Sequence, residues 1–247
     1  ACDSAVVPGG STAEQGGAAS ISEAEIAEHL ETLASDEFGG RGPSSPGEVL
    51  TVNYLATEFE RLGLEPGNGD SFFQDVPLVD ITADPSARMV VSGGGNPMTF
   101  VYAEDFVTWT TRVVEESGVE NSDMVFVGYG IVAPEYGRDD YAGVDVTGKT
   151  VLILVNDPGY ATQDPEVFTG NAMTYYGRWT YKYEEAARQG AAAALIIHQT
   201  APAAYGWDTV RNSWTGPQFN LQSADGNADH LAIEAWLTEA TTYAVFE

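Results

Sequence analysis

The stretch from Met173 to His198 restricts the possible folds more than any other part of the sequence, because it joins a helix, a helix stop and an apolar run. Apolar side chains recur in it at i, i+4, i+7 and i+8, the spacing of one helix face: Trp179, Tyr183, Ala186 and Ala187. Gly190 follows the periodic segment, where a glycine ends a helix by adopting the left-handed conformation. Residues 191–197 then contain no polar side chain, which predicts a strand covered on both faces.

A second apolar run, TVLILV, precedes this segment at residues 150–155. A strand, a helix and a strand in this order predict a parallel pair joined by a right-handed crossover, and therefore a fold that is at least partly α/β. Ligands of such units bind beyond the carboxyl ends of the strands. We therefore expect the working edge at residues 156–174 and at the start of the following helix.

Tyr175, Tyr176 and Arg178 stand at that edge and are the candidate substrate-binding residues. Exposed aromatic rings and a guanidinium can hold a peptide there, since the N-terminus of a helix favours a carboxylate or a carbonyl. The alternative is that Tyr175 and Trp179 pack the helix onto the sheet, because aromatic stripes on helices usually belong to a core. Under that alternative, Arg178 and the exposed tyrosines remain candidates.

The sequence is strongly acidic, with 37 acidic against 10 basic residues and a formal charge of −27. Such a charge repels nucleic acids and anionic membrane surfaces, so we expect neither as a partner. The carboxylates also repel one another, and salt screens this repulsion. Adaptation to a saline habitat is therefore a hypothesis for this composition.

Cys2 is the only cysteine, which excludes an internal disulfide and a thiolate metal cluster. Residues 3–20 are rich in small side chains and lack periodicity, so residues 1–20 are predicted to form a flexible tether. A cysteine before such a tether resembles the mature start of a bacterial lipoprotein. This resemblance implies lipidation of Cys2, membrane contact only through that anchor, and export to the cell envelope or beyond. An arbitrary boundary that happens to include a cysteine is the alternative.

Two helices are predicted after the tether, because Ser22 with Glu25 and Ser45 with Glu48 have the spacing of capping boxes. The second helix is expected to bury an apolar stripe and to end at Gly63. Short apolar runs between glycines, prolines and acidic residues then predict strands: residues 88–91, 98–101 and 124–131. Residues 200–227 read as a loop, and residues 233–246 as a final helix.

The side chains that carry hydrolytic chemistry form no local pattern, so no catalytic residue and no metal ligand is assigned. His29, His198 and His230 are not spaced as metal ligands, and each is expected to be structural. No Gly-x-Ser-x-Gly motif marks a nucleophile. Glu184 and Glu185 resemble the double glutamate of some zinc peptidases, but without other ligands nearby they are expected to be solvated.

Five segments taken together resemble the N-terminal half of bacterial zinc-dependent aminopeptidases, relatives of aminopeptidase Y and glutamate carboxypeptidase. In these enzymes a protease-associated (PA) domain is inserted near the start of the catalytic domain. The segments are residues 29–48 (HLETLASDEFGGRGPSSPGE), 54–66 (YLATEFERLGLEP), 72–78 (FFQDVPL), 125–159 (VFVGYGIVAPEYGRDDYAGVDVTGKTVLILVNDPG) and 175–198 (YYGRWTYKYEEAARQGAAAALIIH).

The resemblance implies a mixed α/β architecture in four parts. After the tether, residues 21–78 would form an N-terminal helical arm of an incomplete α/β peptidase domain. Residues 79–231 would form the PA domain, with a β-rich, partly parallel sheet and flanking helices. Residues 232–247 would begin the returning peptidase segment.

The resemblance also implies a function, namely the N-terminal portion of an exopeptidase that removes N-terminal residues from peptides. The complete family enzyme uses two zinc ions, and the motifs that bind them are missing from this sequence, so the chain alone is expected to be inactive and to hold no cofactor. Its partners would be the peptide substrate and the remainder of the peptidase domain. A non-catalytic peptide-binding or protein-interaction module is the alternative.

Overall fold

A computed structural model describes residues 17, 20–93 and 95–247. Cys2 and nearly all of the predicted tether lie outside these residues. The chain divides into two compact units that meet in the sequence between Asp75 and Val76. The described residues form a mixed α/β structure with seven α-helices and a five-stranded mixed sheet. None of the described helices is both long and apolar enough to cross a membrane.

The first unit contains helices α1 (Glu23–Leu33) and α2 (Pro46–Arg61), and both predicted helix starts are confirmed. The Ser22 hydroxyl accepts a hydrogen bond from the Glu25 backbone N–H at 3.2 Å and donates one to the Glu25 carboxylate at 2.9 Å. Ser45 accepts from the Glu48 backbone N–H at 3.3 Å. These bonds satisfy amide donors that a helix start otherwise leaves without a partner.

The predicted burial of an apolar stripe on α2 is wrong. Leu55, Phe59 and Leu62 are 38%, 39% and 62% exposed. Ile26 and Leu30 on α1 are also exposed. The described residues therefore leave the apolar faces of both helices largely uncovered.

The second unit is built on a sheet of the strands β4 (Phe106–Trp109), β5 (Met124–Phe126), β8 (Thr150–Leu154), β9 (Ala193–Ile197) and β11 (Ile233–Leu237). Their order in the sheet is β4-β11-β9-β8-β5. Strands β5, β8, β9 and β11 run parallel, and β4 pairs antiparallel with β11. Three two-stranded sheets accompany it: β1 (Leu78–Ile81) with β10 (Gln218–Leu221), β2 (Arg88–Val91) with β3 (Met98–Val101), and β6 (Val132–Ala133) with β7 (Arg138–Asp139).

The predicted strand–helix–strand unit is confirmed. The helices of this unit are α3 (Pro158–Thr162), α4 (Trp179–Arg188), α5 (Thr200–Ala203), α6 (Trp207–Trp214) and α7 (Glu239–Phe246). Helix α4 connects the parallel strands β8 and β9, and all five residues of β9 are buried. Gly190 has φ +80°, as expected for a glycine that ends α4.

Three predictions for this unit are wrong in part. Residues 233–237 form strand β11 instead of helix, and only Glu239–Phe246 is helical. Residues 200–227 contain α5, α6 and β10 in place of a continuous loop. Strand β5 ends at Phe126, because Gly128 and Gly130 adopt positive φ angles of 62° and 59° that interrupt an extended strand.

Candidate functional site

The three predicted binding residues lie between the end of β8 and the first turn of α4. Tyr175 begins a 3-10 turn, Tyr175–Gly177, and Arg178 occupies the N-cap position of α4 in an extended conformation. No side chain caps this helix start, and its first turn contains no acidic residue. The backbone amides of the first helical turn are therefore available to an anionic or carbonyl ligand.

Tyr175 and Arg178 share one shallow depression of about 290 Å³, which Met173, Thr174 and Thr180 complete. Tyr175 is 58% exposed, and its hydroxyl donates to the Glu184 carboxylate at 3.0 Å. The alternative that Tyr175 packs the helix onto the sheet is therefore wrong. Trp179 does take that role, since it is partly buried and its ring meets Trp214 edge-on at 5.0 Å.

Tyr176 points away from this depression. Its ring packs edge-on against Tyr136, Phe168 and Tyr181. Its hydroxyl donates to the Glu135 carboxylate, which raises the pKa of Tyr176 to about 12. The structure thus brings Tyr175 and Arg178 together, whereas Tyr176 stabilises the loop beneath them.

Arg178 differs from the other basic side chains. Nine of the ten Lys and Arg side chains donate a hydrogen bond or form an ion pair within the described part of the chain, and Arg178 does neither. In a protein with 37 acidic residues, this guanidinium is left exposed at an uncapped helix start. It is free to pair with a ligand carboxylate in the bidentate geometry that arginine favours.

A larger cleft of about 480 Å³ lies between α4 and residues 229–234, and Thr180 lines both this cleft and the depression. Its floor contains Glu234, which is only 5% exposed. Trp109 Nε1 donates to Glu234 at 3.0 Å, and the Thr111 hydroxyl donates to it at 3.2 Å. Thr111 Oγ1 also lies 2.9 Å from His230 Nδ1. Burial raises the pKa of Glu234 to about 7, against the opposing effect of its two hydrogen bonds.

The sequence did not predict the cleft at Glu234. Glu234 fell within a predicted helix, and Thr111 carries no motif. His230, expected to be structural, lines the cleft with a partly exposed side chain. The expected solvation holds for Glu184 but is wrong for Glu185, which is buried and accepts hydrogen bonds from the Arg188 and Gln189 side chains.

Helix α4 also carries a buried lysine. Lys182 is fully buried in α4, and its ammonium donates to the Tyr129 backbone carbonyl at 2.6 Å. Burial lowers the pKa of Lys182 to about 7, although the carboxylates of Asp157 and Asp140 act in the opposite direction. Lys182 lines neither the depression nor the cleft.

The zinc ions implied by the resemblance do not fit the residues that the structure describes. Among these residues, no group of three or more His, Cys, Asp or Glu side chains is placed to hold a metal ion. His29 Nδ1 contacts the Tyr54 hydroxyl, and His198 Nε2 lies 3.0 Å from the Tyr205 carbonyl oxygen. Both contacts are structural, as expected for these two histidines.

Comparison with protein-family models, with curated proteins and with solved structures found no significant match for this chain. The geometry of the depression at Arg178 and of the cleft at Glu234 is therefore the guide to their chemistry.

Proposed function

We propose that this chain is the N-terminal portion of a zinc-dependent exopeptidase that removes N-terminal residues from peptides. Residues 79–231 would act as a PA domain that shapes the substrate cleft. Residues 21–78 would form a helical arm of the peptidase domain, and residues 232–247 would begin the returning peptidase segment. The two zinc ions would be bound by a segment outside this sequence. A lipid anchor at Cys2 would hold the exported protein at the cell envelope.

The observation that carries peptide binding is the position of Arg178, which has no ion-pair partner among the described residues, beside the exposed ring of Tyr175. A guanidinium and an uncapped helix start together favour a carboxylate or the carbonyl groups of an extended peptide. The tyrosine ring offers an apolar surface to a neighbouring side chain at little cost in conformational entropy. The depression is therefore suited to a peptide that carries a carboxylate.

The assignment to a larger peptidase is supported by the five segments and by the exposed apolar faces of α1 and α2. Side chains such as Leu30 and Leu62, each 62% exposed, gain free energy when another surface covers them. A peptidase domain that packs on the arm would supply that surface. The mixed sheet with helices in the second unit is compatible with the proposed accessory domain.

A non-catalytic peptide-binding module is the second candidate. It is favoured by one observation, namely that the depression around Arg178 is formed wholly by residues of the second unit. The site therefore needs no catalytic partner to bind a peptide.

Peptide binding is tested by titrating the 247-residue chain with acidic peptides whose C-termini are free or amidated, followed by calorimetry. We expect the variant Arg178→Ala to bind about 10–100-fold more weakly, because a charge-assisted hydrogen bond contributes roughly 1.5–3 kcal/mol. Arg211→Ala is the control for the loss of one arginine, since Arg211 is partly exposed and pairs with Asp208 at 3.0 Å. Equal affinity of the Arg178 variant and the control would refute this role.

The two candidates are separated by activity. The reading frame that follows Glu247 in the gene is first determined, and the protein it encodes is assayed with aminoacyl nitroanilides. Metal-dependent release of amino acids that Arg178→Ala reduces would support the exopeptidase. Peptide binding without cleavage in that longest protein would support the module.

A further inference from the structure

We propose that the cleft between α4 and residues 229–234 binds an organic ammonium ion, of the class of a primary amine at the end of an alkyl chain. The cleft shares Thr180 with the depression at Arg178 but is lined by its own charged residues, and its proposed ligand does not depend on the proposed function.

The floor of the cleft provides a buried carboxyl group with acceptor capacity to spare. An ionised carboxylate can accept about four hydrogen bonds, and Glu234 accepts two, from Trp109 and Thr111. These two bonds fix the orientation of the carboxylate. The remaining lone pairs suit the three donors of an ammonium group.

The charges around the cleft favour a cation. Glu184 and Asp229 lie at its rim, in addition to Glu234 at the floor. Arg188 is the only Lys or Arg among the lining residues, and its guanidinium already donates to Glu185 at 2.8 and 2.9 Å. Tyr183 also lines the cleft, but its hydroxyl donates to a backbone carbonyl. Glu184 already accepts a hydrogen bond from Tyr175 and lies 3.9 Å from Arg188, so the carboxyl groups left for a ligand are those of Asp229 and Glu234.

One wall of the cleft is apolar and aromatic. The partly buried ring of Trp179 lines it and is held edge-on by Trp214 at 5.0 Å. Ala187 and Leu231 continue the apolar surface. An alkyl chain can pack there, and a tryptophan ring attracts a cation that lies over its face. The combination of a carboxylate and an aromatic wall is typical of sites for organic ammonium ions.

A metal ion fits the cleft less well than an ammonium ion. Among the described residues, including those that line the cleft, no three His, Cys, Asp or Glu side chains are arranged as a metal site. A volume of about 480 Å³ would also leave most of the space around a single ion empty. This volume is instead typical of pockets that enclose a small organic molecule.

Binding of a cation should be linked to the ionisation of Glu234. The titratable and charged residues that line the cleft with it are Tyr183, Glu184 and Arg188 on α4 and Asp229 and His230 before β11. The uncharged Trp109 and Thr111 donate to it. Because burial raises the pKa of Glu234 to about 7, its carboxyl is largely protonated at pH 6. An ammonium ion binds the ionised form better, so its binding lowers this pKa and releases a proton. The affinity should therefore rise as the pH increases from 6 to 8.

The test is a calorimetric titration of the full chain with butylamine in 150 mM sodium chloride, at pH 6 and pH 8 and in buffers of different ionisation enthalpy. We expect saturable binding of one amine, about 10-fold tighter at pH 8, with proton release near pH 6.5. Glu234→Gln should weaken binding at pH 8 by at least 10-fold and remove its pH dependence. Glu239→Gln, at the exposed start of α7, is the matched control for the loss of one charge.

Thr111→Val provides a second variant that retains the shape of the side chain. The hydrogen bond from Thr111 lowers the pKa of Glu234, so its loss should move the midpoint of the pH dependence upward. Thermal unfolding of each variant checks that it is folded. A merely structural role of Thr111 would leave this midpoint unchanged.

The controls define what would overturn the proposal. Binding of 1-butanol or butyrate as tight as that of butylamine would do so, as would unchanged butylamine affinity in Glu234→Gln. A titration with Nα-acetyl-lysinamide distinguishes the two sources of the ammonium group. Binding of this compound supports a lysine side chain as the ligand, and binding of butylamine alone supports a free amine.

Discussion

Lys182 is a lysine that is fully buried, whereas lysines are almost always solvated. Its ammonium donates to the Tyr129 carbonyl and lies over the Tyr129 ring, 5.8 Å from the ring centroid. The carboxylates of Asp140 and Asp157 offset part of the cost of burial. Burial has a larger effect than these two carboxylates, and the pKa of Lys182 is therefore lowered from 10.5 to about 7.

This pKa predicts how stability changes with pH. Between pH 7 and 9.5 the unfolded chain holds the proton of Lys182 and the folded chain increasingly does not, so the free energy of unfolding should rise with pH. Relative to Lys182→Met, we expect the wild type to gain up to ~3 kcal/mol over this range. The tyrosines titrate in both proteins, and their contributions cancel in the difference.

Urea unfolding at several pH values measures this difference. Lys149→Met is the control, because Lys149 is the only other lysine and is partly exposed. Parallel pH profiles for the wild type and Lys182→Met would show that the buried ammonium keeps its proton throughout.

The residues of the candidate sites differ in how far the sequence reveals them. Tyr175 and Arg178 were predicted because they follow a strand and begin a helix, which is local information. Glu234 and Thr111 meet across 123 residues, and no local pattern reports such a pairing. Glu234, a buried glutamate inside a strand, also interrupts the apolar run that would otherwise predict β11.

At the scale of single elements, the start of α2 packs against the 3-10 turn Asp36–Phe38. The two backbones approach so closely that Gly47 has no room for a side chain. A Cβ atom at Gly47 would lie 2.0 Å from the Phe38 carbonyl oxygen, which is too close for any real contact. Gly47→Ala must therefore shift the backbone of one element. We expect it to destabilise the first unit by at least ~2 kcal/mol, despite the better helix propensity of alanine.

Circular dichroism at 222 nm during urea unfolding would measure this loss. Gly67→Ala is the control, because a Cβ atom there meets nothing within 4 Å. If both variants unfold at the same urea concentration, the close approach of α2 to Phe38 does not hold in solution.

The elements that could be predicted from the sequence are those with local signals. Serine caps start α1 and α2, and Gly190 separates α4 from β9. Strand β11 was mistaken for a helix, since Trp236 and Leu237 are buried in the middle of a sheet and the run shows no alternation. Covered strands and buried helices look alike in short apolar runs, and only the neighbouring strands decide between them.

At the scale of the whole molecule, the charge of −27 is mostly uncompensated. Only five carboxylates form ion pairs with Lys or Arg among the described residues: Glu58, Asp140, Glu184, Glu185 and Asp208. The remaining carboxylates repel one another more strongly in the compact state than in the unfolded chain.

Sodium chloride should therefore stabilise the protein. We expect the urea midpoint to rise between 0.02 and 0.5 M salt, since the Debye length is about 10 Å at 0.1 M and shortens further above it. Sucrose at equal osmolality is a control for effects that do not involve charge. A midpoint that stays constant or falls with salt would mean that the acidic groups are too far apart to interact, and the hypothesis of salt adaptation would be abandoned.

The position of β11 in the sheet affects how the protein folds while the ribosome synthesises it. This strand lies between β4 and β9, yet Trp109 in β4 and its partner Glu234 are separated by 125 residues. At about 5–20 residues per second, the ribosome needs roughly 6–25 s to synthesise that interval. Until then β4 lacks its neighbour, and β9, once made, presents an open backbone edge to other nascent chains. Slow codons between β9 and β11 would lengthen this exposure, so the speed of translation there should affect the yield of folded protein.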